Sequence, residues 1–252
     1  MIRMCVSGGR GKMGRILCAR IMEHENVELA SILEQSSNED VGHEINGIQV
    51  LSDAETAVAA SDVVIDFSTP DNSIILSMLC AELGKKLVVC TTGLSDEQIK
   101  KLEKAALSVP VILSPNTSIG VNTVFKIIKK ITSMLPEYEK EIIEAHHNQK
   151  KDAPSGTAVK MAEIMSAPND SIIYGREGQM GIRPGNEIAV HAVRGGNIIG
   201  EHTAMWIGPN DRIELTHRAQ SRALFADGAI KAAVWIERQA AGKLFSMEDV
   251  LE

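Results

Sequence analysis

Met4-Cys5-Val6-Ser7-Gly8-Gly9-Arg10-Gly11-Lys12-Met13-Gly14 is the stretch on which the fold turns. Met4–Val6 reads as a short strand. Gly8, Gly11 and Gly14 form a G-x-x-G-x-x-G loop, and Arg15–Met22 continues as a helix with Ile16, Leu17, Ile21 and Met22 on one side. Glycine serves a strand-to-helix turn for steric reasons. Without Cβ atoms the backbone can turn tightly and bring its N–H groups against a pyrophosphate at the helix N-terminus. Gly8, Gly9, Arg10, Gly11, Lys12, Met13 and Gly14 are therefore candidate contacts of a dinucleotide. A second strand, Val27–Leu33, is followed by Glu34, whose carboxylate can accept hydrogen bonds from ribose hydroxyls.

Strand and helix patterns keep alternating. Val63-Val64-Ile65-Asp66-Phe67 is a continuous apolar run of the kind found in buried parallel strands. Ser73–Leu83 reads as a helix, Leu87–Cys90 as a strand, Asp96–Leu107 as a charged helix and Val111–Leu113 as a strand. This spacing predicts a doubly wound parallel sheet. Ligands of such sheets lie across the carboxyl ends of the strands, where Cys90-Thr91-Thr92 and Ser114-Pro115-Asn116-Thr117 fall. From about residue 120 the grammar changes. Helices are predicted over Thr123–Met134 and Thr157–Met165, then alternating strands over Ile188–Val193, Gly200–Ile207 and Arg212–His217. The second half is expected to be an α+β domain with a mixed or antiparallel sheet, and Phe225–Ala241 a closing helix.

The densest chemistry lies in Glu144-Ala145-His146-His147-Asn148-Gln149-Lys150-Lys151-Asp152-Ala153-Pro154-Ser155-Gly156-Thr157-Ala158. Two imidazoles can exchange protons near neutrality, and lysine gives a compact charge for a carboxylate. Ser155, Gly156 and Thr157 would present N–H groups and hydroxyls at a helix start, which favours an anion. A bland reading of the same run is a polar loop with solvated histidines. His191, His202 and His217, on the alternating strands, read as hydrogen-bonded structural groups.

A formal net charge of −7 argues against a nucleic-acid partner. No apolar run is long enough to span a membrane, and the N-terminus reads as a strand rather than a signal peptide. Cys5, Cys18, Cys80 and Cys90 are scattered, which suits free thiols in a reducing, cytoplasmic compartment and no metal site.

The run E-A-H-H-x-x-K-x-D-A-P-S-G-T-A at 144–158, with the glycine loop, resembles the dihydrodipicolinate reductase family, and the likeness runs along essentially the whole chain. The resemblance implies a Rossmann-like dinucleotide domain over residues 1–117, completed by a C-terminal helical segment over 226–252. It assigns residues 118–225 to substrate binding and assembly into a homotetramer. It further implies NADH or NADPH as cofactor, with Phe67, Cys90, Thr91, Thr92, Ser114, Pro115, Asn116 and Thr117 near the nicotinamide half. The family often has glycine at position 90 and an aromatic residue at 117. His146 is implied as proton donor/acceptor and Lys150 as proton donor and carboxylate partner. His147, Ser155, Gly156 and Thr157 are the implied contacts of a small dicarboxylate, 4-hydroxy-tetrahydrodipicolinate. Read from the residues alone, two other functions stay open: another two-domain NAD(P)-dependent dehydrogenase, and a non-catalytic NAD(H) sensor.

Overall fold

A computed structural model describes residues 1–252. In chain order the elements begin with β1 (Ile2–Ser7), α1 (Lys12–Met22), β2 (Val27–Leu33), β3 (Glu44–Ile45), β4 (Ile48–Leu51) and α2 (Ala54–Ala59). They continue with β5 (Val63–Asp66), α3 (Pro70–Leu83), β6 (Lys86–Val89), α4 (Asp96–Ala105) and β7 (Val111–Leu113). Next come α5 (Ile119–Met134), β8 (Glu139–His146), α6 (Gly156–Met165), β9 (Ser171–Ile173), β10 (Glu187–Arg194), β11 (Glu201–Ile207) and β12 (Arg212–Arg218). The chain closes with α7 (Ala223–Ile236), β13 (Leu244–Phe245) and α8 (Met247–Val250). Residues 1–119 and 222–252 form one compact unit, and residues 120–221 a second.

The first unit is built on a sheet of order β13-β7-β6-β5-β1-β2-β4-β3, parallel except for the β3–β4 hairpin. Strand side chains alternate between two apolar layers. Met4 and Val6 of β1 join Leu17 and Ile21 of α1 and the alanine-rich face of α7. Cys5 turns the other way, toward Leu76 and Cys80 of α3 and Leu102 of α4. Burial on both faces explains why these strands read as unbroken apolar runs. Local signals set the helix ends. Thr69 caps α3 and Pro70 starts it, while Gly84 closes it at φ +66°; Ser95 and Gln98 form a capping box on α4.

The structure corrects several expectations. Helix α1 starts at Lys12, not Arg15, so Gly14 lies inside it. A Cβ on Gly14 would lie 2.1 Å from the Gly8 carbonyl oxygen, so this glycine answers to close packing, which periodicity does not register. Helix α7 ends at Ile236, five residues before the expected end, and the chain then adds β13 to the sheet beside β7. The run Glu144–His146 is the end of strand β8, not loop. Six short elements, β3, β4, α2, β9, β13 and α8, carry too few residues for a periodic signal.

In the second unit the sheet order is β12-β11-β8-β10-β9. β8 runs parallel to β10 and antiparallel to β11, so the sheet is mixed. One face packs Ile142, Val190, Ala204 and Trp206 against Met161, Ala162 and Met165 of α6. The opposite face leaves Ile143 and Val193 41% and 48% exposed.

Gly228 in α7 gives a test of the first unit. An exposed helical glycine normally gains stability on becoming alanine, but a Cβ here would stand 1.8 Å from the Thr117 carbonyl oxygen. Gly228→Ala should therefore destabilise by about 1–3 kcal/mol, the usual cost of overpacking. A urea-unfolding midpoint at or above that of the parent chain would refute this account.

Candidate functional site

The first unit's strand order reverses between β1 and β5, and a crevice opens where the connections after these strands diverge. A cavity of about 480 Å³ lies there, lined by Gly8, Arg10, Gly11, Glu34, Gln35 and Phe67 among others. Gly8 adopts φ +72°, and a Cβ on it would come within 2.5 Å of the Phe67 carbonyl oxygen. Gly11 is the N-cap of helix α1, which has no side-chain cap and no acidic residue in its first turn, an arrangement that suits a bound phosphate. Glu34 accepts a 2.6 Å hydrogen bond from the Arg10 N–H. The residues present fit a dinucleotide.

The other expected cofactor residues divide into two groups. Gly9 and Gly14 are buried, and Met13 packs against the core, so they shape the loop from beneath. Lys12 is exposed and does not line the cavity. Cys90–Thr92 and Ser114–Thr117 follow β6 and β7, the next strands along the sheet, outside the cavity. Thr117 is buried and donates a 2.7 Å bond to the Phe225 carbonyl. Asp66, fully buried at the end of β5, accepts hydrogen bonds from Ser68 (2.5 Å), Ser73 (2.5 Å) and Thr91 (3.0 Å). It thus ties the β5 and β6 exits together.

In the second unit the pairing register gathers chemistry at one end of one sheet face. Glu144 lies opposite His202 on β11, and His146 lies opposite Arg194 on β10. Glu144, with no solvent exposure, accepts both Arg194 terminal nitrogens (2.7 and 2.8 Å) and the Ser155 N–H (3.0 Å). His146 Nδ1 reaches the same carboxylate at 2.5 Å. Burial alone would raise the Glu144 pKa, but these hydrogen bonds overcome it and hold the group at about 2. An ionised carboxylate only accepts, so His146 carries a proton on Nδ1, and Nε2 is the nitrogen left for exchange. The ring of His202 meets His146 edge-on at 5.1 Å, and its Nε2 lies 2.9 Å from Ser155 Oγ. Burial, then the neighbouring His146, push the His202 pKa down to about 3. A Cβ on Gly200 would sit 3.0 Å from His146 Nε2, so this glycine keeps the ring's edge clear.

Of the predicted substrate residues, Ser155 is the N-cap of α6, its Oγ accepting from the Ala158 N–H at 3.2 Å. Gly156 and Thr157 are the first helical residues after it. Lys150 is paired with Asp152 at 2.9 Å, which lowers the Asp152 pKa. His147 directly follows the end of β8. Three members of the cluster are not among the expected catalytic or substrate residues: Glu144, Arg194 and His202. Each is unremarkable in sequence, and only strand register brings them together. His202 is hydrogen-bonded, as expected, but inside the cluster.

A doubly wound unit with a glycine-loop crevice, followed by a separate mixed-sheet unit with a buried histidine–carboxylate cluster, defines a two-unit dinucleotide-dependent oxidoreductase class. Residues 2–117 match the family described as "Dihydrodipicolinate reductase, N-terminus", and residues 120–251 match "Dihydrodipicolinate reductase, C-terminus". The chain belongs to the dihydrodipicolinate reductase family. It is 40% identical to a 4-hydroxy-tetrahydrodipicolinate reductase of Syntrophotalea carbinolica over 100% of this chain and 99% of the relative. It is 42% identical, with the same coverage, to one of Syntrophobacter fumaroxidans. Among solved structures, a dipicolinate-bound dihydrodipicolinate reductase from Paenisporosarcina sp. TG-14 superposes with a TM-score of 0.81 at 28% identity, covering 98% of this chain and 97% of that one.

The buried cluster fixes the sign of an acid-stability effect. Glu144 moves from 4.5 to about 2 on folding, so its stabilisation is complete above pH 4.5 and is lost as pH falls toward 2. His202 moves from 6.5 to about 3, so the unfolded chain takes its proton first and stability falls from pH 6.5 downward. Urea midpoints should therefore decline with acid from about pH 6.5. His202→Asn should flatten the upper part of that decline and Glu144→Gln the part below pH 4.5. An unchanged slope between pH 6.5 and 4.5 in His202→Asn would assign the effect to another group.

Proposed function

We infer that this chain is an NAD(P)H-dependent 4-hydroxy-tetrahydrodipicolinate reductase. It converts (2S,4S)-4-hydroxy-2,3,4,5-tetrahydrodipicolinate to tetrahydrodipicolinate with loss of water, in lysine biosynthesis through diaminopimelate. The observation that carries this reading is full-length identity of about 40% to reductases of that name. The cluster in which Glu144 sets the exchangeable nitrogen of His146 supports it chemically. The nucleotide domain is residues 1–117 with 226–252, and the substrate and assembly domain is 118–225.

The bound cofactor supplies a hydride. The chain's own residues supply binding, orientation and protons. Glycines 8 and 11 and the start of α1 hold the pyrophosphate, and Glu34 takes the ribose hydroxyls. Hydride addition to an electron-poor C=N or C=C bond leaves negative charge on the neighbouring atom, which His146 Nε2–H and the Lys150 ammonium quench. Lys150 leaves Asp152 to meet a substrate carboxylate. Gly156 and Thr157, at the start of α6, cradle a carboxylate, with Ser155 keeping the helix start in place and His147 completing the contact set. A sensor without chemistry would have no use for a histidine oriented by a buried carboxylate.

Both cofactors are used, with a modest preference for NADH. Glu34 opposes a 2′-phosphate and the neighbouring Gln35 is neutral, while Lys12 on the glycine loop pulls the other way and keeps the preference modest. The protein works in the cytoplasm, consistent with four buried free cysteines. It assembles as a homotetramer through the open face of the second unit's sheet, where Ile143 and Val193 are exposed.

Two measurements test this reading. Asn in place of histidine keeps an amide near the position of Nδ1 but deletes Nε2. His146→Asn should therefore lower kcat by about 10²–10⁴-fold, the range for general acid–base groups, while pyridine-2,6-dicarboxylate still binds. Lys150→Ala should lower kcat similarly and also weaken that dianion's binding. Wild-type kcat in both variants would exclude the assigned roles. Separately, Gln35→Arg should move the kcat/KM ratio toward NADPH, and an unmoved ratio would put residue 35 out of reach of a 2′-phosphate.

A further inference from the structure

The cavity behind the glycine loop holds one cation and one anion among its lining side chains, Arg10 and Glu34; Lys12 is not among them. Arg10 is the group from which a phosphate on the adenosine ribose would be expected to draw a charge-assisted bond. It is already engaged. Its Nε lies 2.5 Å from Asp40 Oδ2, with both side chains largely covered (17% and 25% exposed). Its backbone N–H donates to Glu34, and its carbonyl accepts from Arg15 Nε at 2.8 Å, so the residue is held from both sides of the chain.

Asp40 is itself fixed. Its N–H donates to Asn38 Oδ1 at 3.0 Å, the Asn38 N–H donates to the Gln35 carbonyl at 2.9 Å, and the His43 N–H donates to the Asp40 carbonyl at 3.1 Å. The loop between β2 and β3 is a string of such turns. It brings the Asp40 carboxylate onto the one cation of the cavity, thirty residues after Arg10 itself, whose backbone N–H serves Glu34.

We propose that Asp40 is a specificity-determining residue that selects against the 2′-phosphate by holding the Arg10 guanidinium in an ion pair. This rests on the reading that the cavity takes the adenosine half of the cofactor. With Asp40 in place, a 2′-phosphate meets the Glu34 carboxylate and an arginine whose charge is already compensated. To recruit Arg10 it must displace a partly buried carboxylate. Without the Asp40 charge the same guanidinium can pair with the phosphate.

The test compares two probes that differ only by that phosphate, 5′-AMP and adenosine 2′,5′-bisphosphate, by calorimetry on the full-length protein without substrate. Asp40→Asn should tighten the bisphosphate by about tenfold, roughly 1.4 kcal/mol, and leave 5′-AMP within about twofold. Asp40→Ser should do the same, and serves if the asparagine variant does not fold. In an Arg10→Gln background the Asp40 substitution should gain nothing. A gain that persists without Arg10 would mean that Asp40 acts by its own repulsion and would overturn the ion-pair account, as would no gain in either single variant. Failure of 5′-AMP to bind the parent protein is a different result. It would sink the assignment of the cavity, and the proposal with it.

Discussion

A carboxylate shut away from water stays charged only if protein groups replace its hydration, and Glu144 imposes that requirement on the second unit. Its partners come from three places: Arg194 on β10, the Ser155 amide at the start of α6, and His146 two residues along its own strand. Each is needed to keep the charge buried, so each element is held in one position relative to the others. The orientation of His146 is a by-product of this demand. Because Glu144 can only accept, the imidazole presents Nε2 without needing any further device. Burial in the same cluster holds His202 neutral, because charging a ring shut away from water is costly.

The first unit solves a similar problem differently. Asp66 is as buried as Glu144, yet its hydrogen-bond donors are three hydroxyls rather than a cation. Hydroxyls satisfy the oxygens without fixing a compensating charge, and they belong to the segments leaving two neighbouring strands, Ser68 and Thr91, and to the first turn of α3, Ser73. The result is a stiff rim beside the glycine loop. In the second unit a fixed cation, Arg194, is spent on the interior carboxylate, and Lys150 pairs instead with the exposed Asp152.

Much of the fold was legible because its information is local. Apolar runs at β1, β2, β5, β6 and β7, and punctuation such as Thr69-Pro70 and Gly84, mark elements that any chain with these residues would favour. The glycine loop was legible for a similar reason, since its steric constraint is carried by Gly8 and Gly14 themselves. Strand β8 was not legible. Lys140, Glu141, Glu144 and His146 are polar, and nothing local indicates that this is the central strand of a sheet. Their burial depends on partners far along the chain. Glu141, for instance, is covered by Arg176 and Arg183, which hold it ionised against the cost of burial. A hydrophobicity pattern cannot see a polar strand whose neutralising charges lie in another segment. The roles of Glu144, Arg194 and His202 were hidden for the same reason.

Register then explains why the cluster forms at that end of the sheet and nowhere else. β8 and β10 run parallel, so their carboxyl ends coincide and His146 is brought level with Arg194. β11 runs the other way, so the residue it contributes comes from its beginning, and His202 is its second residue. A one-residue slip of β11 would turn His202 to the open face and bring Glu201 or Thr203 against the buried carboxylate. Either would leave the cluster short of a packed ring, and glutamate would add an uncompensated charge beside Glu144. The alternation of Ala204 and Trp206 further along β11 resists that slip, because both are fully buried and would be carried out of the core with it. The apolar packing under the sheet thus sets the geometry of the polar cluster at its end.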